Sequence, residues 1–315
     1  MSIMVTGGTG FIGNRIVRKL SDRGEEVVCF DLAPPRNNLE RYADRINFYR
    51  GDISQIPHLL EAINIFQVHK IIHMAALLPP DTEDRPHFGM SVNIQGTNNV
   101  FEAARWSSIQ RVVYASSIAV YGVQETFGER PINETDLSDP VNVYGMTKAA
   151  NDFAASRYRE RYDMDIRGVR ICTVFGHGRV TGMTGMIGGL MMSLPAIGQP
   201  VTMQFDPNEA SPMIHAEDAA EIFVQVSLSN NLKHPIYISG GHLATIQDIA
   251  NIVKEYVPDA QITTGDRPVP HVYLVDNSRM LSDIGYELAP LRVRVLEHMN
   301  EARTEAGLPP LLGSK

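Results

Sequence analysis

The chain has 315 residues, 43% hydrophobic and 20% charged, with a formal net charge of −8, enough for a large core in one large domain or two medium ones. An acidic chain without a basic run repels phosphate backbones, which excludes nucleic acid as an expected partner. Its two cysteines, Cys29 and Cys172, lie in apolar stretches, which excludes a disulfide framework and fits a reducing compartment.

Short apolar runs alternate with longer amphipathic ones in the first half. Ile3 to Val5 predicts a strand, and Phe11 to Arg23 a helix. Strands follow at Val27 to Phe30 and Ile46 to Tyr49, then a helix at Ile56 to Phe66. Lys70 to His73 predicts a strand, Phe88 to Trp106 a helix, and Arg111 to Ala115 a strand. A helix over Tyr144 to Tyr162 and a strand over Ile166 to Ile171 complete the series. Such alternation indicates parallel βαβ units, so the expected fold is α/β with a doubly wound parallel Rossmann sheet.

The pattern loosens after Gly176. Helices are expected at Met186 to Leu194, Asp218 to Leu228, Ile246 to Tyr256 and around Val293 to Ala306, with a strand at Pro235 to Ser239. The expected division is a first, doubly wound domain over residues 1–176, to which some later segments return. Residues 177–315 are then mainly a smaller, substrate-binding α/β domain. Met1 to Thr6 has no cationic start, and no stretch approaches the roughly 20 apolar residues of a membrane helix. A cytoplasmic protein without membrane contact is expected.

The first chemical signal is Gly7-Gly-Thr-Gly10-Phe11-Ile12-Gly13, set between a strand and a helix. Gly7 allows a tight turn, Gly10 lets the backbone approach a pyrophosphate, and Gly13 lets helix and strand pack closely. The helix start then offers free N–H groups and a positive dipole end to phosphates. The next strand ends in Asp31, at the spacing of a ribose-binding acid. A carboxylate there accepts both ribose hydroxyls of NAD and repels the 2′-phosphate of NADP. Arg36 nearby is read as a solvated loop charge.

The second signal is Tyr144-Gly-Met-Thr-Lys148, two residues four apart on one helix face. A phenol acting as a base near neutrality needs about 4 kcal/mol of help. One ammonium at ~4 Å in an effective dielectric of ~20 supplies that. The third signal is Ser116-Ser117 at a strand end, where a hydroxyl can bond a substrate oxygen as charge develops on it.

Together, Thr6 to Gly13, Ser116-Ser117-Ile-Ala-Val-Tyr-Gly122 and Tyr144 to Lys148 resemble the extended short-chain dehydrogenase/reductases, the NAD-dependent epimerase/dehydratase family. Gly51-Asp52-Ile53, His73-Met-Ala75-Ala76, Val92-Asn93-Ile-Gln-Gly96-Thr97 and Pro131-Ile-Asn-Glu134 match as well. The resemblance implies Ser117, Tyr144 and Lys148 as the catalytic set, with Tyr144 as acid/base. It implies Asp52 and Ile53 at adenine, and Ala75, Ala76 and Asn93 along the cofactor. Ser116 and Cys172 join that cofactor-lining set, as do Phe11 and Ile12 of the turn. It also implies a homodimer through the helices at Phe88–Trp106 and Tyr144–Tyr162.

His177, His215 and His242 show no paired ligand spacing, so no metal is expected, and His215 is read as structural. Met183, Met186, Met191 and Met192 are read as filling an irregular core rather than forming a mobile wall. Two departures from sugar-nucleotide members stand out. Thr173 replaces an asparagine, and Ala210 to His215 lacks an arginine that clamps phosphates. Arg179 is the sole Lys or Arg between Gly178 and Lys233. A diphosphate needs such donors, so a smaller substrate is expected, beside an apolar mouth of Leu77, Leu78, Pro79 and Pro80. The leading expectation is NAD-dependent oxidation of a sugar, polyol or hydroxy acid. The alternatives are a nucleotide-sugar epimerase or dehydratase and a non-catalytic NAD sensor.

Overall fold

The computed structural model describes residues 1–35, 37–180 and 182–312. Arg36 lies outside the described residues. The chain opens with β1 (Ser2–Thr6), α1 (Gly13–Asp22), β2 (Glu26–Asp31), β3 (Ile46–Arg50), α2 (Ile56–Ile65) and β4 (Lys70–His73). Two short helices follow, α3 (Asp81–Asp84) and α4 (Pro86–Met90), and a π turn over Ser91–Gln95 joins α4 to α5 (Gly96–Trp106). The predicted helix from Phe88 is therefore one rod with a local widening. Next come β5 (Arg111–Ser117), α6 (Val143–Tyr162) and β6 (Ile166–Ile171).

The second half is less regular. It holds β7 (Thr173–Phe175), α7 (Gly182–Gly185), a π turn at Met186–Leu190, α8 (Met191–Ala196), β8 (Val201–Thr202) and β9 (Ala210–His215). After α9 (Ala216–Leu228) come β10 (Ile236–Ile238), β11 (His242–Thr245), α10 (Ile246–Tyr256) and β12 (Ile262–Thr263). Then α11 (Ser278–Ile284) and α12 (Leu291–Glu305) follow.

Seven strands form one parallel sheet in the order β10-β6-β5-β4-β1-β2-β3. Strands β1 and β4 are buried along their whole length, as expected for a sheet covered on both faces. One apolar cluster joins α1 and α9 to the sheet through Ile16, Leu20, Ala220 and Phe223. Another joins α2 and α5 on a different face through Leu59, Ile63, Val100 and Phe101. The strand order reverses between β1 and β4. In such sheets the crevice beyond the carboxyl ends at this point takes the ligand.

The later elements divide their packing. Strand β10 extends the main sheet beside β6, and α9 covers it. A separate core gathers Met191, Met192, Met203, Met213, Ile249, Val253, Val295 and Met299. It lies under the small sheets β11-β9-β7 and β12-β8. Met191 and Met192 fill that core, whereas Met183 also reaches the main cavity.

Candidate active site

A cavity of about 590 Å³ lies at the reversal point. Its floor is the glycine turn. Gly7 has φ +66°, and a Cβ on Gly13 would stand 2.0 Å from the Gly7 carbonyl oxygen, so neither position tolerates a side chain. Helix α1 starts at Gly13 with no side-chain cap and no acidic residue in its first turn. Its positive end is therefore not neutralised locally and suits phosphate. Asp31 stands at the end of β2, and its carboxylate accepts the Thr9 N–H at 3.0 Å and the Ala33 N–H at 3.3 Å. These bonds point the acid into the cavity wall where a ribose would lie. The residues present thus fit a dinucleotide.

Gly7, Gly10, Phe11, Ile12, Gly13, Asp31, Asp52, Ile53, Ala75, Ala76, Ser117, Tyr144, Lys148 and Cys172 all line this one cavity. Asn93 and Ser116 do not. Both are fully enclosed behind the wall. The Asn93 amide accepts the Leu77 N–H at 2.8 Å and donates to the Leu77 carbonyl at 3.0 Å and to Thr147 Oγ1 at 3.2 Å. It pins the loop after β4 to α6. The sequence motif marks the asparagine, but only the fold reveals that it faces away from the ligand space.

The reacting end is built on α6 and β5. Asn142 caps α6 by accepting the Gly145 N–H at 2.7 Å, while Glu83 accepts the Val143 and Tyr144 N–H groups at 3.1 Å each. Tyr144 is half-buried. Burial raises its phenol above the ordinary value, opposed by the Arg179 charge and by a hydrogen bond with Ser117. Ser117 Oγ accepts the Ala119 N–H at 3.1 Å, which leaves its own proton free to donate. Lys148 is buried, and its Nζ donates to the Ala115 carbonyl at 2.8 Å. Burial pushes the Lys148 ammonium down to about 8, against the pull of Asp152. The lysine expected to depress Tyr144 stands 5.6 Å from its ring centre, and within the protein Arg179 is the cation that lowers the phenol.

His73 sits beneath this end, enclosed and pushed down to about 3 by burial, with the Lys148 charge adding to it. Thr97 Oγ1 donates to the Asn93 carbonyl at 2.6 Å and so must accept from His73 Nε2 at 3.0 Å. His73 Nδ1 then accepts from Thr6 Oγ1 at 2.6 Å. The imidazole is a neutral strut. His215 caps α9 by accepting the Glu217 N–H at 3.3 Å and is also pushed down to about 3 by burial.

The sequence singled out Arg179 only as the lone cation of its segment. In the fold its guanidinium lines the cavity and donates through Nε at 3.2 Å and Nη2 at 2.6 Å to Thr184 Oγ1. Burial lowers its pKa and Tyr144 raises it; among the described residues no carboxylate pairs with it. Pro270 and His271 reach the cavity from the C-terminal part, and no sequence signal foretold them. Thr173 lines the wall as well. No helix of the described residues is long and apolar enough to cross a membrane.

The profile of the NAD dependent epimerase/dehydratase family matches residues 3–239. A putative UDP-glucose 4-epimerase of Methanocaldococcus jannaschii is 28% identical over 261 residues, 81% of this chain and 82% of the relative. The UDP-glucose 4-epimerase of Thermus thermophilus in complex with NAD superposes with a TM-score of 0.85 at 25% identity, covering 96% of this chain and 99% of that one. L-threonine dehydrogenase from Clostridium difficile superposes at 0.86 with 22% identity, covering 98% and 99%, which shows a shared fold.

Proposed function

The chain belongs to the NAD dependent epimerase/dehydratase family, and we propose that within it this enzyme is an NAD-dependent dehydrogenase of a small hydroxy acid. The observation that carries this is Arg179. An arginine that lines a cavity without a carboxylate partner is costly unless a ligand completes it. It stands beside Tyr144, where the reacting hydroxyl would lie. A guanidinium matches a carboxylate in shape and charge.

NAD, when bound, supplies the hydride acceptor. Tyr144 takes the hydroxyl proton of the substrate, and the Ser117 hydroxyl donates to the same oxygen. Lys148 holds positive charge under the phenol, and Arg179 fixes the acid group. The glycine turn would hold the pyrophosphate of the cofactor and Asp31 the ribose of its adenosine half.

The relatives support a second reading, a nucleotide-sugar epimerase. Against it, Ala210–His215 contains no basic side chain for a diphosphate apart from the enclosed, neutral His215. We also propose that two copies pair through the outer faces of α4, α5 and α6, which expose Phe88, Trp106, Phe153 and Tyr162.

NADH absorbance with panels of hydroxy acids, polyols and UDP-sugars separates the two activities. Oxidation of a hydroxy acid is expected, and Arg179→Gln should raise its KM about 100-fold, the worth of a charge-assisted pair. Uncharged alcohols should respond far less to the substitution. Turnover of a UDP-sugar with no NADH from any hydroxy acid would overturn the proposal.

A further inference from the structure

We infer that Asp152 is a positioning residue of this site, whose enclosed carboxylate, one helical turn beyond Lys148, holds that lysine in its ammonium form. The inference rests on the assignment of Tyr144 and Lys148 given above.

Tyr144, Lys148 and Asp152 follow one another at four-residue steps on α6, so they form a column down one helix face. The column faces β5 and β6. Lys148 Nζ meets the Ala115 carbonyl at 2.8 Å. Below it, Asp152 accepts the Tyr114 hydroxyl at 2.9 Å and Arg170 Nε at 2.9 Å. The Asp152 and Arg170 side chains are 9% and 8% exposed, so solvent screens this pair little.

The groups around Lys148 are otherwise unhelpful to its charge. His73 from β4 is neutral and pushed down by the lysine itself. Tyr114 from β5 is held well above the ordinary phenol value by burial. Tyr144 is raised by burial too, and Arg179 is a further cation. Glu134, near Arg170, spends its carboxylate on the Ile238 N–H and Arg279. Asp152 is the group that opposes burial at Lys148. Arg170 competes for the same carboxylate, and it also donates to the Tyr121 hydroxyl and to the Glu134 carbonyl at 3.2 Å. Removing the acid and removing the arginine should therefore act on Lys148 with opposite signs. A purely structural ion pair predicts the same outcome for both.

The test is NMR titration of ¹³Cε-lysine in the full-length protein, with Lys148→Arg to assign the signal. It needs no substrate, so it stands apart from the dehydrogenase panel. If that panel yields no NADH while the titration behaves as expected, the functional reading fails and this inference holds. In Asp152→Asn the Lys148 midpoint should fall by about one pH unit, a tenfold loss of ammonium at pH values above it. Asp152→Glu should restore the midpoint, and Arg170→Gln should raise it. The double variant D152N/R170Q leaves no lone charge, and its midpoint should lie between those of the two single variants. A midpoint in D152N that superposes on the wild type would overturn the inference, as would a shift of D152N and R170Q in the same direction or a double variant below D152N.

Discussion

The chemistry turns on a few side chains whose environments oppose one another. Burial keeps the Tyr144 proton on, while Arg179 and Ser117 favour its loss. A phenol in that balance acts as a base only when more positive charge arrives, and an oxidised nicotinamide carries such charge. Tyr144→Phe keeps the ring and its packing and removes the proton acceptor. Its kcat for NADH formation should fall about 10³-fold, within the usual span of general-base effects. Binding of NAD, followed by quenching of protein fluorescence, should stay within a few-fold of wild type. An active phenylalanine variant would remove Tyr144 from the reaction. The glycine turn, Asp31, Ser117, Tyr144 and Lys148 were legible because each sits in a contiguous motif whose chemistry needs that spacing. Arg179 and Thr184 were not, because their meaning depends on the fold bringing them into the same cavity as Tyr144. Asp152 was hidden as well, since a carboxylate on a helix reads as a solvated charge until β5 and β6 are seen to enclose it.

The helices of the site are finished differently at their starts, and the difference follows their work. Helix α6 has a full cap from Asn142 and Glu83, which fixes the turn that carries Tyr144. Helix α1 has none, which leaves its N–H groups for a phosphate. The periodic stretches foretold the central helices and strands to within a few residues. The π turn at Ser91–Gln95 left no trace in the pattern, because one extra residue per turn shifts a face without breaking it. The outer faces of α5 and α6 belong to a different scale of contact. Phe153 is 67% exposed and Trp106 55%, with Arg105, Arg157 and Glu160 nearby along the same helices. Large apolar groups clustered on a charged face mark an interaction surface. Sedimentation equilibrium should give twice the chain mass for the wild type. Phe153→Asp combined with Trp106→Asp should reduce it to one chain mass with NAD binding intact. A wild type that sediments as a single chain at high concentration would end the dimer proposal.

At the scale of the whole molecule, the later third of the chain does two jobs. Strand β10 and α9 complete the first layer, and the methionine-rich core packs against the small sheets, whose β7 lines the cavity. Those sheets escaped the sequence because their strands are short and β9 contains Pro212, a residue that argues against a strand. Ion pairs flank the apolar contact of α1 with α9: Arg15, Arg18 and Lys19 on α1 and Arg23 just beyond it meet Glu217 and Glu221 on α9. Enclosed neutral histidines lie along the same seam and beneath the cavity, and they set how the molecule answers acid. His73 and His215 are both held down to about 3 in the folded chain, whereas an unfolded histidine titrates near ~6.5. Between those limits the unfolded state binds protons that the native state refuses. Their contribution is therefore complete above about pH 6.5 and is lost as pH falls toward the folded value. Each should withdraw about 1 kcal/mol by pH ~5.5, before most carboxylates begin to titrate. Urea unfolding of the wild type at pH 7.5 and 5.5 should show that loss. His215→Asn, which keeps a side-chain cap on α9 without a titrating ring, should lose about 1 kcal/mol less over the interval. A wild-type stability that stays flat across it would mean that the two imidazoles take up protons without disturbing the seam, and that burial does not keep them neutral.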